Sequence, residues 1–154
     1  MKHSFQLLVF LLFSSLCLGQ QQNNGELNSR GDKCNFETID NLRAQKDEVS
    51  AKLILDFLLA MESSCCNNAE WSEASNETLF WLADTHTKNF IDCLKANKNK
   101  LDMVLIVSEF KQPIHDGLDL KGIYARLKKL NDNDKVAVDI LNSLMFAIDG
   151  LKKH

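Results

Sequence analysis

Residues 51–66 read AKLILDFLLAMESSCC, an apolar helical pattern that ends in two adjacent cysteines. Apolar residues recur here at steps of three, four and seven positions, a spacing that places them on one face of a helix. The series begins upstream of the quoted stretch and comprises Leu42, Val49, Leu53, Phe57 and Ala60. It predicts a first helix that runs from about Phe36 to about Ser63 and ends at Cys65 and Cys66.

The rest of the chain carries further helical patterns and no alternation typical of a strand. They predict four more helices, at about 67–97, 101–111, 118–130 and 134–150. The 101–111 segment is apolar almost all round, so we expect it to be the buried central element, with a buried strand as the alternative. The predicted fold class is therefore all-α, with about five helices in a compact bundle.

The N-terminus has the pattern of a secretory signal peptide, which we place at residues 1–19. Its apolar run at 7–13 is too short to cross a bilayer, which takes about 20 residues. No second run of that length follows, so we expect a secreted, extracellular protein without a membrane span; an uncleaved membrane anchor is the alternative. Residues 20–33 are polar and predict a flexible arm, and 34–154 form the helical domain.

Removal of the signal peptide leaves four cysteines, Cys34, Cys65, Cys66 and Cys93. An even number of cysteines in a small secreted chain predicts two disulfides. A bond between the neighbours Cys65 and Cys66 would close a strained ring. We therefore expect Cys34 to pair with one member of the doublet and Cys93 with the other, in an order that the sequence leaves open.

Charge and motifs exclude several functions. The chain has 18 Lys and Arg against 21 Asp and Glu, and this acidic balance argues against nucleic acid as a partner. It lacks a nucleophilic serine motif, a phosphate-binding glycine loop and a zinc-binding histidine pair. His86 lies on an apolar stripe, where we expect a core-edge histidine rather than a catalytic base. We predict a non-enzymatic protein without catalytic residues, cofactor or metal.

The predicted arm contains Arg30-Gly31-Asp32, the tripeptide that integrins recognise. A guanidinium and a carboxylate on either side of a flexible glycine can bridge an acidic pocket and a metal ion of the receptor. The tripeptide precedes Cys34 closely, so a disulfide would tether it. These three residues are candidate contacts with a protein partner.

Two features of the second predicted helix are also candidates for function. At 100° per residue, Trp81 lies opposite the apolar stripe. Either another helix covers it, or it is an exposed anchor for a partner, since Trp is enriched at interface hot spots. Asn76-Glu77-Thr78 is an N-glycosylation sequon. Asn76 lies near the edge of the stripe, where a folded helix would crowd a glycan, so both the modified and the unmodified state stay open.

The four cysteines within a helical pattern, together with the signal peptide and the acidic balance, resemble small salivary proteins of blood-feeding mosquitoes. The similarity covers about residues 34–154 and concerns the anophensin type and the C-terminal helical domain of the aegyptin type. It implies a secreted monomeric effector that binds a host receptor, leukocyte surface or plasma protein of inflammation, complement or haemostasis. The chain lacks the long acidic glycine-rich N-terminal region of the aegyptin type, which argues against collagen binding.

A second hypothesis is a secreted helical carrier of small apolar ligands, similar to insect odorant-binding proteins. Those proteins typically have six cysteines, which this sequence lacks. A carrier requires an enclosed apolar cavity of roughly 300 Å³ or more inside the bundle. The residues expected near such a cavity are Phe57, Phe80, Phe90 and Phe146.

Overall fold

The computed structural model describes residues 34–45, 48–65, 67–130 and 133–151. Cys66 lies outside these ranges, as do two of the sequence-based predictions: the signal peptide at 1–19 and the arm at 20–33 with Arg30-Gly31-Asp32. They stay predictions.

Seven α-helices, and no strand, make up the regular structure of the described residues, apart from one short 3₁₀ turn at Ser63–Cys65. The all-α prediction is confirmed, and the strand alternative for 101–111 is wrong. The number of helices exceeds the predicted five. The helices are α1 Phe36–Ala44, α2 Ala51–Ala60, α3 Ala69–Thr85, α4 Thr87–Asn97, α5 Met103–Glu109, α6 Leu120–Lys129 and α7 Lys135–Leu151.

The predicted first helix is two helices, α1 and α2. The backbone N–H of Gln45 donates to Leu42 O and closes α1, and the Ser50 hydroxyl accepts from Leu53 N and begins α2. Val49 lies in the connection yet is buried. The apolar spacing therefore continues through a segment that is not helical, and this is why the pattern suggested one uninterrupted helix.

The predicted second helix is interrupted at His86, whose backbone leaves the helical region at φ −121° and ψ 31°. The hydroxyl of the next residue, Thr87, donates to Ala83 O at 2.9 Å and to Asp84 O at 3.2 Å. Such side-chain bonds to the preceding turn compete with the backbone and bend helices. The result is a pair of consecutive helices, α3 and α4, that meet at His86.

The central helix is α4, which contacts α2, α3, α6 and α7. The prediction that 101–111 is the central element is wrong. Helix α5 lies at the periphery against α7, and Val104 in its first turn is 83% exposed. Only Ile106 and Phe110 in this segment are buried, whereas Leu101, Met103, Leu105 and Val107 are partly buried against the core.

The buried side chains form one continuous core. The Phe110 ring lies 5.0 Å from that of Phe80 and 6.2 Å from that of Phe90, so aromatic side chains fill the space where α3, α4 and the end of α5 meet. Phe57 is also fully buried, whereas Phe146 is 66% exposed on α7. Three of the four phenylalanines expected around a carrier cavity thus pack into the core, and the fourth lies at the surface.

The described residues contain one disulfide, between Cys34 and Cys65. Cys93 is a free, buried thiol, so the predicted pairing of Cys93 with the doublet is not formed. Its Sγ lies 3.8 Å from Ala51 O, at the start of α2, whereas Cys65 Sγ lies 3.9 Å from Ala60 O, at the end. These ends are nine residues apart, about 13 Å along a helix. Cys93 and the disulfide therefore lie near opposite ends of α2.

None of the helices described here is long and apolar enough to cross a membrane.

Candidate functional site

Trp81 lies on α3 just beyond the end of α1. The two helices run side by side in the same direction, because the Phe36 ring contacts the Trp71 ring at 5.4 Å and Arg43 pairs with Glu77 at 2.7 Å. Helix α1 ends one residue after Arg43, whereas α3 continues for two more turns. Trp81 follows Glu77 by one turn, so it lies where α1 no longer covers α3.

The uncovered part of α3 forms an open groove of about 400 Å³, lined by Arg43, Glu77, Thr78 and Trp81. Trp81 is half-buried against the core and so has a fixed position. The Arg43 and Glu77 side chains are about half exposed. The Thr78 hydroxyl donates to Ala74 O at 2.7 Å, so its hydrogen is used within α3 and not in the groove. The groove therefore combines an anchored aromatic wall with an exposed ion pair.

A second groove, of about 490 Å³, is lined in part by His86, which contacts Trp81. The imidazole lies 5.1 Å from the Trp81 ring, nearly perpendicular to it, and also lines the second groove with Arg126 and Lys129. Its Nε2 is buried without a hydrogen-bond partner among the described residues. Arg126 pairs with Asp84, one turn after Trp81. We call Arg43, Glu77, Trp81, His86 and Arg126 the Trp81 surface.

The Trp81 surface is suited to binding a protein. Trp and Arg are the side chains most enriched at interface hot spots, where a large rigid group enters a pocket and neighbouring polar groups exclude water. Ion pairs as exposed as Arg43–Glu77 contribute little to stability. Each of these charges can therefore exchange its partner for a group on another molecule at small cost.

The described residues offer no comparable arrangement for catalysis or metal binding. No three His, Cys, Asp or Glu side chains within them are grouped so that they could hold a metal ion. The free thiol of Cys93 is 5% exposed. Burial raises its pKa, and the hydrogen bond from Asn97 opposes this effect. A thiol reacts as the thiolate, so this environment makes Cys93 a poor nucleophile.

Asn76 is a structural residue. Its side chain is fully buried, and Nδ2 donates to Glu109 Oε2 at 2.7 Å and to Gln112 O at 3.3 Å. Its Oδ1 accepts from Ile114 N at 3.1 Å. These bonds hold the segment after α5 against α3. In the sequence, this position was noticed because of the sequon. The only signal for its role in packing was that a polar residue lies beside an apolar stripe.

The candidate residues do not come together in one site. Cys34 precedes α1 and Trp81 lies beside its other end, so about 13 Å of helix separates them. Arg30-Gly31-Asp32 lies outside the described residues. Sequence reasoning identified Trp81 but missed its neighbours Arg43 and His86, because Arg43 comes from α1 and His86 was expected on the apolar stripe opposite Trp81. It also missed Arg126, which comes from α6 and pairs with Asp84.

No family model, curated protein or solved structure matches this chain.

Proposed function

We propose that this chain is a secreted, non-enzymatic effector that binds an extracellular protein through the Trp81 surface. The observation that carries the proposal is the open groove in which half-buried Trp81 lies beside the exposed Arg43–Glu77 pair. An anchored aromatic loses little conformational freedom on binding, and flanking charges of both signs provide specificity.

Packing of the core supports this proposal over an interior carrier of apolar ligands. Phe57, Phe80 and Phe90 are fully buried in the continuous core, and Phe110 fills the space between two of them. The grooves between α1 and α3, beside His86, and between α5 and α7 all open to solvent.

The proposed partner is a host defence protein, either in plasma or on leukocytes. This part of the proposal rests on the resemblance to mosquito salivary effectors. The signal peptide pattern at 1–19 and the Cys34–Cys65 disulfide support an extracellular location, since disulfides persist in oxidising compartments.

The test uses the purified chain from residue 20 onward, immobilised and exposed to vertebrate plasma and to solubilised leukocyte membranes. We expect a retained protein whose capture falls at least about tenfold with Trp81→Ala and with Arg43→Glu. Phe146→Ala is the matched control, because it removes an exposed aromatic residue far along α7, outside the Trp81 surface. Circular dichroism verifies that each variant is folded.

Two outcomes would contradict the proposal. One is that no protein is retained. The other is that Trp81→Ala and Arg43→Glu retain the same protein as strongly as Phe146→Ala. Arg43 is half exposed, so its variant keeps the test informative even where Trp81→Ala destabilises the fold.

A second route to a partner is the integrin tripeptide Arg30-Gly31-Asp32. The observation in its favour is the disulfide at Cys34, which anchors the chain two residues after Asp32. Asp32→Glu lengthens the carboxylate arm by one methylene and is expected to abolish adhesion of integrin-bearing cells to the immobilised protein. Glu48→Asp, an exposed carboxylate change elsewhere, is the control. Unchanged adhesion with Asp32→Glu would exclude this route.

A further inference from the structure

The groove between α5 and α7 differs from the Trp81 surface in its chemistry. It has a volume of about 500 Å³ and an apolar floor made of Met103, Val104, Val107 and Val136. Val104 is the most exposed large apolar side chain among the described residues, at 83%. An aliphatic side chain left this exposed beside three other apolar ones forms a surface that gains free energy when a nonpolar group covers it.

Three lysines surround this floor, although they come from different elements. Lys98 follows α4, Lys111 follows α5 and Lys135 begins α7. One carboxylate lines the groove as well, that of Asp139, and it pairs with Lys135 one turn away. Lys98 and Lys111 are exposed and form no ion pair with any of the residues that the structure describes.

The charge of the groove is opposite to that of the whole protein. Three ammonium groups and one carboxylate line it, whereas the chain carries a formal net charge of −3. Clefts lined by one sign of charge concentrate ligands of the other sign. The groove therefore favours an anion, and its floor favours a molecule that is mostly nonpolar.

We propose that the α5–α7 groove binds one single-chain anionic amphiphile, a long-chain carboxylate or phosphate. The acyl chain covers Val104 and the neighbouring apolar side chains, and the headgroup pairs with the lysines at the rim. Ligand pockets for single small molecules have volumes of about 300–1,000 Å³, and the groove falls within this range. A concave site of this size suits one acyl chain better than a flat bilayer surface. The site shares no residue with the Trp81 surface, so the proposed function does not depend on it.

Calorimetry with the purified chain from residue 20 onward tests the proposal. The probes are palmitate, its uncharged methyl ester and lysophosphatidate, all below their aggregation concentrations. We expect saturable binding of palmitate or lysophosphatidate with one site per chain, and at least about tenfold weaker binding of the ester. Binding of either anion supports the proposal, and the tighter one identifies the headgroup.

Variants at the groove provide the matched comparison. Val104→Asp places a carboxylate on the apolar floor, and Lys111→Glu reverses a rim charge, so each is expected to weaken binding at least about tenfold. Val138→Asp and Lys121→Glu make the same changes at exposed positions outside the groove and are expected to bind as the parent protein does. Lys111 is exposed, so its variant keeps the test informative even where Val104→Asp destabilises the fold.

Three results would overturn the proposal. The first is no saturable binding of palmitate or of lysophosphatidate. The second is equal affinity of the groove variants and their controls, or of the acid and its ester. The third is binding only to vesicles that contain phosphatidylserine, because that result would assign the lysines and Val104 to a membrane surface.

Discussion

The side chain of Asn76 uses both of its N–H groups and its carbonyl oxygen inside the protein, on Glu109, Gln112 and Ile114. The chemistry that makes this residue a glycosylation acceptor is thus committed to packing. Cys93 is a similar case, because the thiol is enclosed near the start of α2 and burial raises its pKa. At the scale of single residues, burial determines which reactive groups are available.

Asn76→Ala should lower the free energy of unfolding by about 2–3 kcal/mol, because it leaves the Ile114 N–H and the Glu109 carboxylate without their partner. Urea denaturation measures the loss, and Asn142→Ala on the exposed side of α7 should change the free energy of unfolding by less than about 0.5 kcal/mol.

Because the Asn76 amide is buried and hydrogen-bonded, we expect folded protein secreted by eukaryotic cells to have the mass of the unmodified polypeptide at Asn76. A glycan found there on folded protein would contradict the hydrogen bonding described here.

Cys93 should react slowly with iodoacetamide in the folded protein at neutral pH, and rapidly after unfolding in guanidinium. The raised pKa keeps the thiol protonated over a range of pH in which an unfolded thiol ionises. The stability that this group contributes is complete below the pKa of the unfolded thiol and is lost as pH rises through the folded pKa. Mass spectrometry of the alkylated Cys93 peptide measures the rates. Equal rates in folded and unfolded protein would show that the thiol is accessible.

At the scale of elements, α5 shows that a short, continuous apolar run can form a helix that is only partly buried. Its residues from Met103 to Val107 are all apolar, and at 100° per residue they point in every direction. Only one side of the helix faces the core, and Ile106 and Phe110 occupy it. Exposed Val104 and the partly buried Met103 and Val107 line the α5–α7 groove.

Phe110→Ala should lower the free energy of unfolding by about 3–5 kcal/mol, because the ring packs on Phe80 and Phe90 and its removal leaves a cavity. Val104→Ala should change it by less than about 0.5 kcal/mol, since that side chain is largely in water. Urea denaturation of the two variants compares them directly. A loss of about 2 kcal/mol or more for Val104→Ala would mean that α5 is buried on both sides.

At the scale of the whole molecule, α4 is the central helix and contacts four others, and the disulfide cross-links the part of the chain that contains α1 and α2. Cys34 and Cys65 are 31 positions apart, and their bond ties the residue before α1 to the turn after α2. Cys93 was also expected to form a disulfide. It lies near the start of α2, at the end away from the Cys34–Cys65 bond, and packs there as a free thiol.

Replacing Cys34 and Cys65 together by Ala should lower the free energy of unfolding by about 3–4 kcal/mol, because a loop of this length restricts the unfolded chain. Urea denaturation without reductant measures the difference. Adding reductant should then leave the double variant unchanged, since Cys93 is a free thiol. A further loss of stability on reduction would reveal a second bridge.

Much of the local structure was predictable from sequence. The helical class and the last two helices follow from apolar spacing, since the segments expected at 118–130 and 134–150 correspond to α6 and α7. Trp81 was identified as a candidate because it departs from the apolar stripe of its helix. The separation of α1 from α2 and the interruption at His86 were not predictable, since apolar residues keep their spacing across both.

The sequence by itself determined the helical class and the presence of an unusual tryptophan and an unusual cysteine doublet, and its N-terminal pattern gave secretion as an expectation. These properties depend on residues close together in the chain, where spacing and composition are sufficient. Only the tertiary structure decided that Cys65 pairs with Cys34, that Cys93 stays a thiol, that α4 rather than α5 is central, and that Arg43 and His86 flank Trp81. The physical reason is that these outcomes depend on which helices pack together, and one helix's pattern does not reveal which neighbours cover its faces.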